Sequence, residues 1–140
     1  MNVVVDASVA VKWYVPEIHT DIAERLLTDK YELHAPELIW PELGNILWKK
    51  NRRGELESDT VRASLTAFKK DVSLSVHSHH HLIEPAIAGA LATGQTVYDW
   101  MYMALAVSMS ANFVTADRRF FLALKKTDLA SQITWVADIE

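Results

Sequence analysis

The sequence predicts an α/β fold, a doubly wound domain built on a central, mostly parallel sheet. Val3-Val4-Val5 is an unalternated β-branched run, the pattern of a strand buried on both faces. Further short apolar runs at Leu33-His34-Ala35, Phe113-Val114-Thr115 and Ile133-Thr134-Trp135-Val136 alternate with stretches of helical periodicity. The connections are only a few residues long, so strand and helix succeed one another as right-handed crossovers between parallel strands.

Asp6 to Tyr14 reads as a turn into a short helix, stopped near Pro16. Glu17 to Asp29 places Ile22, Leu26 and Leu27 at helical spacing, and Pro36 ends the strand that follows. Leu43, Ile46 and Leu47 mark a stronger helix, with Pro41 in its first turn and Lys49-Lys50-Asn51-Arg52-Arg53 and Gly54 at its end. Ser58-Asp59-Thr60 opens the next helix, whose apolar face is Val61, Leu65 and Phe68. Val72 to Val76 is a candidate strand, and the alanine-rich Leu82 to Ala92 is a helix broken at Gly94. Asp99 starts a helix running to about Ser110, and Asp117 to Lys126 forms the last one before the closing strand.

At 140 residues there is room for one domain with a substantial core, spanning 1–140, and no internal repeat or linker divides it. No apolar run reaches the roughly 20 residues that cross a bilayer, and the N-terminus has no secretory signal pattern. The absence of cysteine excludes disulfides and thiolate metal sites and fits a reducing cytoplasm. The net charge of −4 argues against nucleic-acid binding through bulk charge. It conceals local structure: without four candidate site acids the chain is neutral, and cations cluster at residues 49–53, Arg118-Arg119 and Lys125-Lys126. Such clusters either complement helix dipoles or steer phosphates. Neither a phosphate loop nor a dinucleotide fingerprint is present, and no nucleophile elbow surrounds Ser8.

Ligands of open parallel sheets collect beyond the carboxyl ends of the strands. Asp6 and Asp117 follow strands and Asp99 precedes a helix, so three aspartates distant in sequence converge on one rim. Glu42, on a helix face beside Asn45 and Lys49, could reach that rim from the side, which periodicity alone does not decide. Four carboxylates together suit magnesium or manganese, which prefer oxygen ligands and activate water for phosphodiester hydrolysis. Each acid also has an ordinary explanation. Asp99 and Asp117 fit as helix caps, and Glu42 as a surface helix residue. Asp6, an acid against a core strand, is costly unless paired or bound.

Val3 to Trp13 (VVVDASVAVKW) resembles the opening of PIN domains, especially ribonuclease toxins of the VapC type. Pro41 to Leu47 (PELGNIL), Thr96 to Ala106 (TVYDWMYMALA) and Val114 to Phe120 (VTADRRF) resemble the second, third and fourth motifs, in family order across essentially the whole chain. The resemblance implies a three-layer α/β/α sandwich and magnesium- or manganese-dependent cleavage of RNA. It implies that Asp6, Glu42, Asp99 and Asp117 are the catalytic, metal-holding acids, that Ser8 braces the first and that Thr115 braces the last. Ser8 also fits as an ordinary capping serine. Asn45 either orients Glu42 or faces solvent. A homodimer and an antitoxin partner are implied as well, with Trp13, Tyr14, Trp40 and Trp48 available for such surfaces unless the core takes them. Two departures stand out. Trp100 replaces a small residue, which predicts a narrower cleft mouth, and Arg118-Arg119 stand where relatives often carry a further acid, which predicts one firmly held ion and a second recruited with substrate.

His77, His79 and His81 share a face if extended, yet no familiar zinc spacing accompanies them, and a loop with incidental metal affinity is expected. Other functions compatible with the sequence are a PIN-like nuclease outside toxin systems, a metal-binding RNA-binding module, and a phosphatase using Asp6 as nucleophile. The last lacks a second aspartate two residues on, since Asp6 is followed by Ala7-Ser8.

Overall fold

The computed structural model describes all residues, 1–140. Five strands, β1 (Asn2–Val5), β2 (Glu32–Pro36), β3 (Leu74–His77), β4 (Asn112–Thr115) and β5 (Ile133–Trp135), form one sheet in the order β3-β2-β1-β4-β5. Every pairing is parallel. The chain moves outward from β1 to β2 and β3, then returns across the sheet to β4 and β5. Right-handed crossovers therefore put the intervening helices on opposite faces, giving three layers. They are α1 (Ala7–Ala10), α2 (Thr20–Ala23), α3 (Ile39–Arg52), α4 (Ser58–Asp71), α5 (Ile83–Thr93), α6 (Val97–Met109) and α7 (Arg118–Leu124).

The all-apolar strand reading of the sequence has a direct counterpart: Val3, Val4 and Val5 are buried on the central strand, and Phe113, Val114 and Thr115 are buried beside them. A contiguous apolar core extends from Val3 to Ile139. Registers of Val5 with Val114 and Val4 with His34 align the carboxyl ends of β1, β2 and β4 on one rim. The strand order reverses between β1 and β4, and Asp6 leaves the sheet at this switch point, where parallel sheets open a crevice.

Several element boundaries differ from the sequence expectation, each for a local reason. The expected helix from Glu17 to Asp29 shrinks to α2 followed by a 3₁₀ turn at Glu24–Leu27. His19 precedes it in the left-handed region at φ 67°, and the Thr20 hydroxyl accepts the Glu17 amide, so the chain turns before it can coil. Val72 closes α4 through its amide bond to Phe68, which delays β3 to Leu74. Helix α6 begins two residues before Asp99, because Thr96 caps it. No helix is long and apolar enough to cross a membrane.

Between α5 and α6, the Trp100 indole lies directly over Gly89 and leaves no room for a side chain there. Its Nε1–H donates to Thr93 Oγ1 at 2.8 Å, and Phe120 meets its ring edge-on at 5.9 Å. Trp100 is thus buried in helix packing, and the narrowed cleft mouth expected from it is not observed. Gly89→Ala should destabilise the protein by about 1–3 kcal/mol through overpacking, read as a lower urea midpoint at unchanged slope.

Candidate active site

Asp6 ends β1 and caps α1, its Oδ1 accepting the Val9 amide at 3.1 Å. That is the ordinary capping role, but the same carboxylate does more. Ser8 Oγ donates to Oδ1 at 2.5 Å, and Thr115 Oγ1 donates to Oδ2 at 2.5 Å. Each hydroxyl accepts in turn from the loop leaving β4: Ser8 from the Ala116 amide and Thr115 from the Asp117 amide, both at 3.0 Å. The two hydroxyls therefore bracket the Asp6 carboxylate and tie the exits of β1 and β4 together. Thr115 gives its proton to Asp6, and it meets Asp117 only through the backbone.

Asp117 caps α7, accepting the Phe120 amide at 3.1 Å. Asp99 lies in the first turn of α6 and exchanges hydrogen bonds with Thr96. Its amide donates to Thr96 Oγ1 at 3.1 Å, and its Oδ2 accepts the Thr96 hydroxyl at 3.0 Å. Glu42 sits in the first turn of α3, and its Oε1 is buried with no hydrogen-bond partner. Such an orphaned acceptor is costly in a folded protein. Asn45 is exposed and forms no hydrogen bond to Glu42.

Three of the four carboxylates are raised by their surroundings. Burial lifts the Asp6 carboxyl from 3.8 to about 6 against the opposing hydrogen bonds from Ser8, Thr115 and Val9, and the Asp117 charge adds to the rise. Burial likewise lifts Glu42 from 4.5 to about 7 against the opposing influence of the Tyr102 hydroxyl, and the charges of Asp6, Asp99 and Asp117 add to the rise. Asp99 is raised by burial and by Asp117, with Thr96 and Arg119 opposing. The charge of Asp117 thus bears on Asp6, Glu42 and Asp99, and those of Asp6 and Asp99 bear on Glu42, which makes the acids an electrostatically coupled group. No three His, Asp or Glu side chains stand close enough together to encircle a cation as they lie. Each aspartate commits an oxygen to a neighbouring cap or hydroxyl. The donor set still fits a hard divalent cation, being oxygen throughout, with an unsatisfied buried oxygen on Glu42.

Two residues at the site were missed by sequence reasoning. Tyr102 is buried against Glu42, which with burial raises its hydroxyl far above the ordinary tyrosine value, and its ring stacks on Phe113 at 5.9 Å. It lies three residues after Asp99 on α6, so the i, i+3 rule was the available signal. Thr96 was legible as the first residue of a Thr-x-x-Asp capping pattern. The histidine stretch forms no metal-type cluster with the rim acids. His77 ends β3 and its Nε2 lies 3.0 Å from Nδ1 of His34 on the neighbouring strand, while His79 and His81 do not join it in a metal-type cluster.

The model of the PIN domain family matches residues 3–126. Ribonuclease VapC3 of Pyrobaculum aerophilum is 41% identical over 122 residues, covering 85% of this chain and 92% of that protein. The crystal structure of PAE2754 from the same organism superposes with a TM-score of 0.71 at 28% identity, covering 98% of this chain and 85% of that one. VapBC2 from Rickettsia felis, solved bound to a DNA fragment from their promoter, shares the fold at a TM-score of 0.68 and 12% identity, over 96% of this chain and 98% of that one. A family match running from the first strand through the last helix, over a sheet whose switch point carries the first motif's aspartate, leaves one assignment: this chain belongs to the PIN domain family.

Proposed function

We propose that this protein is a divalent-metal-dependent endoribonuclease of the VapC toxin type, acting as a single domain over residues 1–140. The observation that carries the reading is the group of buried, mutually close-lying acids around Asp6, whose charges cost stability that a bound cation would offset. The likeness to Ribonuclease VapC3 over nearly the full length of both chains supports RNA as the polymer cut. Asp6, Glu42, Asp99 and Asp117 hold magnesium or manganese. When bound, such an ion supplies a nucleophilic water and stabilises the leaving oxygen of a phosphodiester. Ser8 and Thr115 fix the Asp6 carboxylate in one orientation, and Tyr102 packs beside Glu42. The VapC and VapBC2 names among the similar proteins support an antitoxin partner, and the reading includes a homodimer acting in the cytoplasm.

The direct test is cleavage of single-stranded RNA by the purified chain with manganese, with magnesium and with EDTA. Cleavage confined to the metal-containing reactions is expected, and metal-independent or absent cleavage would overturn the reading. Ser8→Ala removes one side of the Asp6 bracket and leaves the Ala116 amide unpaired. It should lower activity about 10- to 100-fold, as loss of a residue orienting a metal ligand does. A manganese titration of the cleavage rate should show its midpoint shifted upward in this variant.

A further inference from the structure

Of the five tryptophans, Trp48 alone takes no part in the core. It is 50% exposed, and the Arg52 guanidinium lies over its ring, 5.5 Å from the centroid. A single exposed indole needs no explanation. This one opens the stretch Trp48-Lys49-Lys50-Asn51-Arg52-Arg53, which holds four cations and no acid in a chain of net charge −4. Lys50 is engaged with Glu17 at 2.7 Å and Glu55 at 3.7 Å. Lys49, Arg52 and Arg53 are exposed and form no ion pair. Cations at a helix C-terminus complement its dipole, which accounts for their sign but not for the indole beside them.

Their placement along α3 matters more than their number. At 3.6 residues per turn, Lys49 and Arg53 fall within about 20° of Glu42 around the helix axis, and Arg52 within about 80°. The rise puts Lys49 about 10 Å and Arg53 about 16 Å along the axis from Glu42. One helix thus begins at the acidic site and ends in unpaired cations, with the Trp48 indole flanking them about 120° around the axis from Glu42 and about 40° from Arg52, whose guanidinium covers it. Binding sites for single strands combine these two features, because every base stacks and every phosphate is anionic.

We propose that Trp48, Lys49, Arg52 and Arg53 form a track that holds single-stranded RNA leading into the cleavage site. Trp48 stacks one base and the three cations take the flanking phosphates. The inference rests on RNA being the substrate. All four are positioning residues, remote from the scissile bond.

The test uses a fluorescein-labelled, mixed-sequence single-stranded RNA. Its binding is read by anisotropy on the full chain carrying Asp6→Asn, and its cleavage is read with manganese on chains that keep Asp6. Trp48→Ala should weaken binding about tenfold or more, and Trp48→Phe should retain most of it. Replacing Lys49, Arg52 and Arg53 together with glutamine should flatten the dependence of log affinity on log salt by about 2, roughly 0.7 for each phosphate that is no longer neutralised. In cleavage, KM should rise while kcat holds, and melting temperatures should stay put because all four side chains are exposed. Unchanged affinity, salt slope and KM in variants of a chain that does cut RNA would overturn the track and leave the nuclease reading standing. So would variants that bind and cut RNA normally but no longer bind a protein partner, which would assign the strip to that partner. A parent chain that neither binds nor cuts RNA would overturn both.

Discussion

Asp6→Asn should abolish metal-dependent RNA cleavage while leaving the fold intact. The carboxylate is buried at the switch point and both of its oxygens are occupied by fixed donors, so no other side chain can move in to replace it. Loss of a residue that merely orients a ligand costs about 10- to 100-fold, so loss of the ligand itself should exceed that range. Asparagine keeps the shape and an acceptor oxygen for one hydroxyl, and its NH₂ donates to the other, since a hydroxyl accepts as readily as it donates. The bracket between β1 and β4 therefore survives the substitution and only the charge is lost. Cleavage of single-stranded RNA with manganese, beside a circular-dichroism spectrum of the same preparation, separates the two effects. Residual activity within a factor of ten of the parent would remove Asp6 from the site.

How much of this was legible in the sequence depends on whether the relevant physics is local. The buried strands were readable because an unalternated valine run has few other uses. The rim positions of Asp6 and Asp117 followed from their place directly after strands. The Glu17–Asp29 helix was misjudged because periodicity at Ile22, Leu26 and Leu27 does not report the left-handed turn at His19. Trp100 was misplaced for a related reason: its partner is the missing side chain of Gly89, eleven residues earlier and on another helix. The reach of Thr115 to Asp6 spans 109 residues and depends on the register of β1 against β4, which no local pattern encodes. Burial of the Glu42 oxygen is likewise a product of elements distant in sequence meeting. A helix face read from sequence shows Glu42 beside Asn45 but cannot show Tyr102 arriving from α6.

The cation-free protein should be more stable at mildly acidic pH than at pH 8. Asp6 has a folded value of about 6 against an ordinary 3.8. A carboxyl raised in the folded state binds its proton more tightly there, so its favourable contribution is complete below about pH 4 and is lost as the pH climbs through about 6. Above that range the ionised, buried group costs about 3 kcal/mol relative to one titrating normally. Glu42, raised to about 7, acts in the same direction and carries the loss toward neutrality. Two groups oppose. Glu17 is held below its ordinary value because Lys50 and Lys12 outweigh its burial, and burial together with His77 depresses His34. Both favour higher pH, but both are shared by the parent and Asp6→Asn chains, so subtracting the two urea-derived stability profiles in EDTA leaves Asp6 together with its effect on Glu42. That difference should grow in favour of the variant from pH 4 to pH 7 and then level off. Manganese at pH 8 should restore the parent, by about 2.7 kcal/mol at a hundredfold excess over its dissociation constant, and leave the variant unmoved. A pH-independent difference would mean that the Asp6 charge is not held at a cost. The coupled acids would then lose the instability that a bound cation is proposed to relieve.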